Sequence, residues 1–171
     1  HKGFIPWDDD SDLGMMRSDI VKLIELMQND DRYRVSIIYD AWNFCKQVRF
    51  MYSDIKNPCF LDLFIFEETS NPSEDTFDSL NQLRNEMIEE LKTASFFPEW
   101  KEKEFIDPSN PISSQIETVF QSYRAKAIEK DLISDKTDEQ GMVWGIENLN
   151  DLNGYRWICN KDNVFPQRTL A

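Results

Sequence analysis

Five aspartates are the residues of this chain best suited to carry chemistry: Asp8, Asp9, Asp10 and Asp12 stand together near the start, and Asp62 lies within a later apolar run. In an extended segment alternate side chains share a face, so we expect Asp10 and Asp12 on one face. Neighbouring carboxylates repel unless a cation lies between them, and Mg²⁺ or Mn²⁺ prefers such oxygen ligands. If the strand containing Asp62 lies beside this pair, the three acids predict a metal-dependent phosphoryl-transfer site.

Other interpretations of these acids remain open. A run of aspartates is most often a solvated loop. The run also begins like a calcium-binding loop, but Leu13 stands where that pattern needs Gly and Asp19 where it needs Glu. Asp62 alone is equally explained as a buried acid paired with an arginine or bound by backbone N–H groups.

Composition limits the classes of function. The chain has 171 residues, a length typical of one domain over residues 1–171, and a net charge of −13, which argues against nucleic acid as a partner. His1 is the only histidine, so a histidine-dependent nucleophile or metal site is not expected. The carboxylates must therefore carry the chemistry.

The three cysteines indicate where the protein works. They form no C-x-x-C pair and leave one over, which favours a reducing compartment. No signal peptide or transmembrane segment is visible, since the longest apolar stretch, 59–66, is far shorter than a span. We expect a cytoplasmic protein, with attachment to the membrane periphery as the alternative.

Hydrophobic periodicity predicts the elements that position the acids. The pattern predicts both helices and strands along the chain. The run 59–66 is nearly continuously apolar and predicts a strand buried on both faces, with Asp62 inside it. The other predictions are strands over 33–39 and 47–52, helices over 17–28 with Ser18 as N-cap, 74–95 and 112–131, and a long loop over 98–111.

The first fifteen residues, His1 to Met15 (HKGFIPWDDDSDLGM), closely resemble the signature of the LicD family of phosphocholine transferases, whose eukaryotic relatives are fukutin and fukutin-related protein. The resemblance is strongest over 1–28 and extends to about 68. It implies an α+β, nucleotidyltransferase-like fold with a mixed sheet flanked by helices, in which 69–135 is a helical insertion or a divergent helical part. Asp10 and Asp12 resemble the D-x-D pair of that family, and Asp62 resembles its third acid.

Two departures from the family pattern stand out. The family usually continues the third-acid motif with Pro-Leu-Asp, where this chain has Ile65-Phe66-Glu67. A segment similar to Gly-Thr-Leu-Leu-Gly, which would hold the donor phosphates, is expected before His1 and is absent from the sequence. We therefore expect the domain to be incomplete.

The resemblance implies transfer of a phospho-alcohol such as phosphocholine from a CDP-activated donor to a hydroxyl of a glycan. The acceptor would be a cell-surface glycan such as lipopolysaccharide or teichoic acid, or its lipid-linked precursor. Asp10, Asp12 and Asp62 are then the catalytic and metal-binding residues, with Mg²⁺ or Mn²⁺ as cofactor.

Residues around the acidic run are candidates for supporting roles. Asp8 or Asp9 is expected to orient a ligand of the metal, although simple solvation explains them as well. Lys2 and Arg17 are candidates for contacts with phosphate oxygens, and an ordinary surface ion pair with a nearby Asp is the alternative for Arg17. Trp7 is a candidate for stacking on cytosine or for a cation–π contact with choline, with core packing as the alternative.

Two other classes of function remain alternatives. One is a non-catalytic acidic module that binds a metal ion or another protein. The other is a metal-dependent glycosyltransferase, which also uses a D-x-D pair but transfers a sugar from a nucleotide sugar. A phospho-alcohol transferase would release CMP, whereas a glycosyltransferase would release UDP or GDP. The released nucleotide therefore distinguishes the two transferases.

Overall fold

The computed structural model describes residues 12–69, 73–134, 144–147 and 158–160. It has the mixed α+β fold class predicted from the sequence. The elements in chain order are β1 (Asp12–Met16), α1 (Arg17–Met27), β2 (Tyr33–Asp40), β3 (Cys45–Tyr52), β4 (Phe60–Thr69), α2 (Glu74–Thr93), α3 (Phe97–Lys103), β5 (Phe105–Ile106), α4 (Ser113–Glu129), β6 (Trp144–Glu147) and β7 (Ile158–Asn160).

Seven strands form one mixed sheet in this part of the chain, in the order β5-β2-β3-β4-β6-β7, with β1 joined to β4. β2 and β3 form an antiparallel hairpin. β4 pairs antiparallel with β3 and β6 and parallel with β1. It therefore has three strand partners.

One face of the sheet, here called the helix face, carries Leu63, Ile65 and Glu67 of β4. α1 follows β1 directly and places Ile20 against Val48, Leu63 and Ile65 in a buried cluster. Its apolar residues recur at helical spacing, so one side of the helix can cover the strands. Within the described residues, no helix is long and apolar enough to cross a membrane.

A second core forms between α2, α3, α4 and the β2–β5 edge of the sheet. α2 begins at an N-cap, where the Ser73 side chain accepts a hydrogen bond from the backbone N–H of Thr76. The helices bury large apolar side chains against Tyr39 and Ile106. The members with at most 2 % exposure are Leu83, Met87, Leu91, Trp100, Ile116, Phe120 and Ala127.

The predicted loop over 98–111 is wrong, because all but the first residue of α3 and the whole of β5 lie within it. Pro98 stands in the first turn of α3, where proline is tolerated since its missing N–H has no partner inside the helix. Trp100 is fully buried and donates a hydrogen bond from Nε1 to the Tyr39 carbonyl oxygen at 3.1 Å. Tertiary burial therefore stabilises a short helix in a proline-rich segment.

Two smaller predictions are also corrected. β4 is buried on both faces only in part: Leu63 and Ile65 on one face and Phe66 on the other are buried, whereas Phe64 is half-buried and the Asp62 side chain is 20 % exposed. The helix after β1 begins at Arg17, so its N-cap position is Met16, and Ser18 lies in the first turn.

Candidate active site

Asp12 and Asp62 are neighbours across two parallel strands. The register of β1 and β4 pairs Asp12 with Asp62 at one end and Met16 with Phe66 at the other. Adjacent strands lie about 4.8 Å apart, so the two acids occupy directly adjacent backbone positions. The structure supplies the strand adjacency on which a converging acidic site depends.

A glycine allows β1 to pack closely in this register. A Cβ atom at Gly14 would lie 2.6 Å from Cε2 of Phe66, and Phe66 is buried. Real Cβ contacts are longer, so Gly14 leaves the space that the Phe66 ring occupies. Met16, 2 % exposed, anchors the end of the strand away from Asp12.

Asp62 has an arginine neighbour on its other side. Arg49 of β3 is its register partner, and Arg49 Nε donates a hydrogen bond to Asp62 Oδ1 at 3.0 Å. The Arg49 and Asp62 side chains are 28 % and 20 % exposed. An acid paired with an arginine was one alternative for Asp62, but sequence reasoning did not identify Arg49. The only signal for Arg49 in the sequence was that it alternates with the apolar residues Val48 and Phe50 along the predicted strand.

Arg49 belongs to a hydrogen-bonded row of polar side chains, here called the polar row, made of Asp62, Arg49, Gln47 and Asp40. Arg49 Nη2 donates to Gln47 Oε1 at 2.9 Å, and Gln47 Nε2 donates to Asp40 Oδ2 at 3.0 Å. Asp40 is 2 % exposed and also accepts from the backbone N–H of Trp42. The Phe60 ring lies under the guanidinium, with its centroid 4.4 Å from Arg49 Cζ. The orientation of Arg49 is therefore fixed from several sides.

Arg17 lies at the other end of β1 and binds a different acid. Its Nε donates to Glu67 Oε1 at 2.6 Å, and Glu67 is 2 % exposed on the helix face. Arg17 follows Asp12 by five positions along the chain, which is about 17 Å of extended strand. The structure thus does not bring Arg17 to Asp62. Glu67, noticed in the sequence only as a departure from a family motif, is the acid that Arg17 contacts.

The remaining sequence candidates, Lys2, Trp7, Asp8, Asp9 and Asp10, lie outside the described residues, as does the side chain of Asp12. Among the side chains that are described, no group of three His, Cys, Asp or Glu residues is placed to hold a metal ion. A metal site at Asp62 therefore needs the carboxylates of the D-x-D segment.

A mixed sheet that brings two aspartates to neighbouring backbone positions on parallel strands, with helices packed on one face, defines a protein of the α+β class. The family model described as the LicD/FKTN/FKRP nucleotidyltransferase domain matches residues 1–102. The chain belongs to this family, which confirms the resemblance seen in its first fifteen residues. No curated protein and no solved structure matches the chain.

The matched range includes the central part of the sheet. It contains β1, β3 and β4, and with them Asp12, Arg49 and Asp62, whereas α4 follows it. Family membership supports a transferase with a nucleotidyltransferase-like role in the handling of phospho-alcohols. That 1–171 is one domain, with 69–135 as an insertion, stays a prediction.

Proposed function

We propose that this protein transfers a phospho-alcohol, such as phosphocholine, from a CDP-activated donor to a hydroxyl of a cell-surface glycan or its lipid-linked precursor. The register of Asp12 and Asp62 carries the proposal. It supports an acidic site that continues from the D-x-D segment to the third acid on the neighbouring strand. Membership of the nucleotidyltransferase family supports a nucleotide-activated donor.

The side chains of the proposed site are of the type that binds a divalent metal ion. Asp10, Asp12 and Asp62 would hold Mg²⁺ or Mn²⁺, because these hard cations prefer carboxylate oxygens and offset the repulsion between adjacent acids. When bound, the metal supplies positive charge that neutralises the diphosphate of the donor.

The transfer itself requires one bond to form and one to break. The acceptor oxygen bonds to the phosphorus that carries the alcohol, and the bond from that phosphorus to CMP breaks. The hydroxyl proton passes to a carboxylate of the site. Asp62, whose side chain is partly exposed on the sheet, would accept it where Asp10 and Asp12 alone hold the metal.

The residues before β1 would complete the site. Lys2 would bind phosphate oxygens, and Trp7 would stack on cytosine or contact a choline group. Asp8 or Asp9 would orient a ligand of the metal. We place the reaction in the cytoplasm, at or near the membrane that carries a lipid-linked acceptor.

Calorimetric titration with CDP-choline and with CDP-ribitol, each with and without Mg²⁺, tests the proposal. We expect Mg²⁺-dependent binding of at least one donor, lost in the Asp10→Ala/Asp12→Ala variant and weakened in Asp62→Asn. Asparagine keeps an oxygen that accepts the hydrogen bond from Arg49, so the second variant removes charge with little change of shape.

Asp31→Asn is the matched control, since Asp31 is exposed in the turn between α1 and β2. It should bind the donor as the starting chain does. Failure of the starting chain to bind either donor with Mg²⁺ would contradict the proposal and favour a non-catalytic module. Release of UDP or GDP from a nucleotide sugar, in place of CMP from a CDP-alcohol, would indicate a glycosyltransferase.

A further inference from the structure

Arg49 is a cation fixed directly beside one of the proposed metal ligands. Its Nε contacts Asp62 Oδ1 at 3.0 Å, its Nη2 contacts Gln47 at 2.9 Å, and the Phe60 ring lies 4.4 Å from Cζ. Gln47 is held in turn by the buried Asp40. The guanidinium therefore needs little further ordering to interact with a ligand at Asp62.

Arg49 places a positive charge in a proposed site whose metal-binding residues are acids. The chain carries a net charge of −13, and the proposed site adds several acids on adjacent strands. The other arginine considered from the sequence, Arg17, is bound to Glu67. Within the described residues, Arg49 is the cation in contact with Asp62.

A fixed positive charge has opposite effects on the two charged ligands of such a site. It repels a divalent cation that approaches the same carboxylate, and it attracts the phosphate oxygens of a nucleotide diphosphate. Arginine suits the second role because its planar group donates several hydrogen bonds to phosphate oxygens. At 28 % exposure the side chain is accessible to a ligand on that face of the sheet.

We propose that Arg49 is a ligand-binding residue of the acidic site, where it competes with the divalent cation for Asp62 and binds the phosphate oxygens of the nucleotide donor. The inference rests on the proposed function, because it requires Asp62 to contact the metal. It adds a residue that selects for an anionic diphosphate and disfavours metal binding in the absence of nucleotide.

Two titrations of the Arg49→Gln variant test this role, one with Mg²⁺ alone and one with CDP at saturating Mg²⁺. We expect affinity for Mg²⁺ alone to increase about fivefold and affinity for CDP to decrease by a similar factor, as for loss of one partly exposed charge. Thermal unfolding of each variant establishes that it is folded. A purely structural arginine would not change the two affinities in opposite directions.

Arg34→Gln is the matched control. Arg34 is an exposed arginine on β2, and its register partner is Met51, two residues from Arg49 in β3. The Arg34→Gln variant removes one positive charge from the neighbouring strand without removing a contact with Asp62. Its affinities for Mg²⁺ and for CDP should therefore stay close to those of the starting chain. Arg49→Lys keeps the charge and should restore the Mg²⁺ affinity of the starting chain, with CDP affinity between the two.

The outcomes separate this inference from the proposed function. If Asp62→Asn loses Mg²⁺ binding while Arg49→Gln leaves both affinities unchanged or lowers both, the role of Arg49 is wrong and the metal site stands. Equal effects of Arg34→Gln and Arg49→Gln would likewise contradict a direct contact. If Asp62→Asn leaves Mg²⁺ binding unchanged, the metal site and the role of Arg49 are both wrong.

Discussion

Arg124 of α4 binds both carboxylate oxygens of Glu67 in β4, with Nε–Oε1 at 2.9 Å and Nη2–Oε2 at 3.2 Å. Arg17 at the start of α1 contacts Glu67 Oε1 as well, at 2.6 Å. The Glu67 side chain is 2 % exposed. The side chain of Arg17 is 21 % exposed and that of Arg124 is 13 % exposed. One buried acid therefore joins α1 and α4 to the central strand β4.

Replacement of Glu67 by Gln should be among the most destabilising changes on the helix face. It leaves two largely buried guanidinium groups without their anion, which costs about 3 kcal/mol of unfolding free energy. Urea denaturation measures the loss. Glu129→Gln, at an exposed position at the end of α4, should change stability by less than about 0.5 kcal/mol. A loss at Glu67 no larger than in this control would mean that the three charges are not coupled.

Gly14→Ala should destabilise the contact between β1 and β4. The added Cβ would lie 2.6 Å from the buried Phe66 ring, and overpacking of this kind costs about 1 to 3 kcal/mol. Thermal and urea unfolding measure the change. The physical cause is steric, so a smaller side chain at position 66 should relieve it.

The double variant Gly14→Ala/Phe66→Leu tests that cause. Phe66→Leu alone should destabilise through the lost packing of the ring. If the clash is the cause, the double variant will be less destabilised than the sum of the two single changes. Strict additivity would show that the ring does not limit residue 14.

The stability of the protein should fall in acid because of Glu117 on α4. Burial alone would raise the pKa of Glu117, but the charge of Lys46 and hydrogen bonds from Lys46, Gln121 and Tyr39 outweigh burial and lower the pKa below its ordinary value. A carboxylate with a lowered folded pKa adds stability above its unfolded pKa, and this is lost as the pH falls through the folded value. We therefore expect the free energy of unfolding to decrease as the pH falls from about 5 to about 3.

Glu117→Gln provides the comparison for the pH dependence. It should be less stable than the starting chain near neutral pH, and its stability should vary less between about pH 5 and pH 3. Lys46 Nζ lies 2.9 Å from Glu117 Oε1, so Lys46→Met should flatten the same part of the curve. Parallel curves for the starting chain and Glu117→Gln would contradict the assignment.

Trp100 should be the main anchor of α3. It is fully buried, and its Nε1 donates to the Tyr39 carbonyl oxygen, so Trp100→Ala should cost about 3 to 5 kcal/mol. Trp42 is 63 % exposed in the β2–β3 turn, and Trp42→Ala should change stability by about 0.5 kcal/mol or less. Chemical denaturation of the pair checks the contrast, and similar losses in the two variants would contradict it.

The elements with a clear hydrophobic period were predictable from the sequence. The strands expected over 33–39 and 47–52 correspond to β2 and β3, and the helices expected over 74–95 and 112–131 correspond to α2 and α4. Burial of one side imposes this period on the residues, so the elements can be recognised without their partners. α3 lacks such a period over its seven residues and depends on the burial of Trp100.

The side chains around Asp62 show where prediction from the sequence ends. The residue types at Asp12 and Asp62 pointed to acidic chemistry, but the register that makes them neighbours depends on how β1 aligns with β4. Arg49 and Glu67 carried no comparable signal. Their partners are set by strand register and helix packing, and a single sequence encodes neither as a local pattern.

The parallel pairing of β1 and β4 has a consequence for the order of folding. Each register pair joins residues fifty positions apart, whereas β2 and β3 are connected by a short turn. Closing the longer loop costs more entropy, so we expect the β2–β3 hairpin to form early and β1 to dock late. Amide hydrogens of β1 should then exchange with solvent sooner than those of β2 and β3. The acidic pair would therefore be assembled after the β2–β3 hairpin has formed, and it would open before that hairpin does.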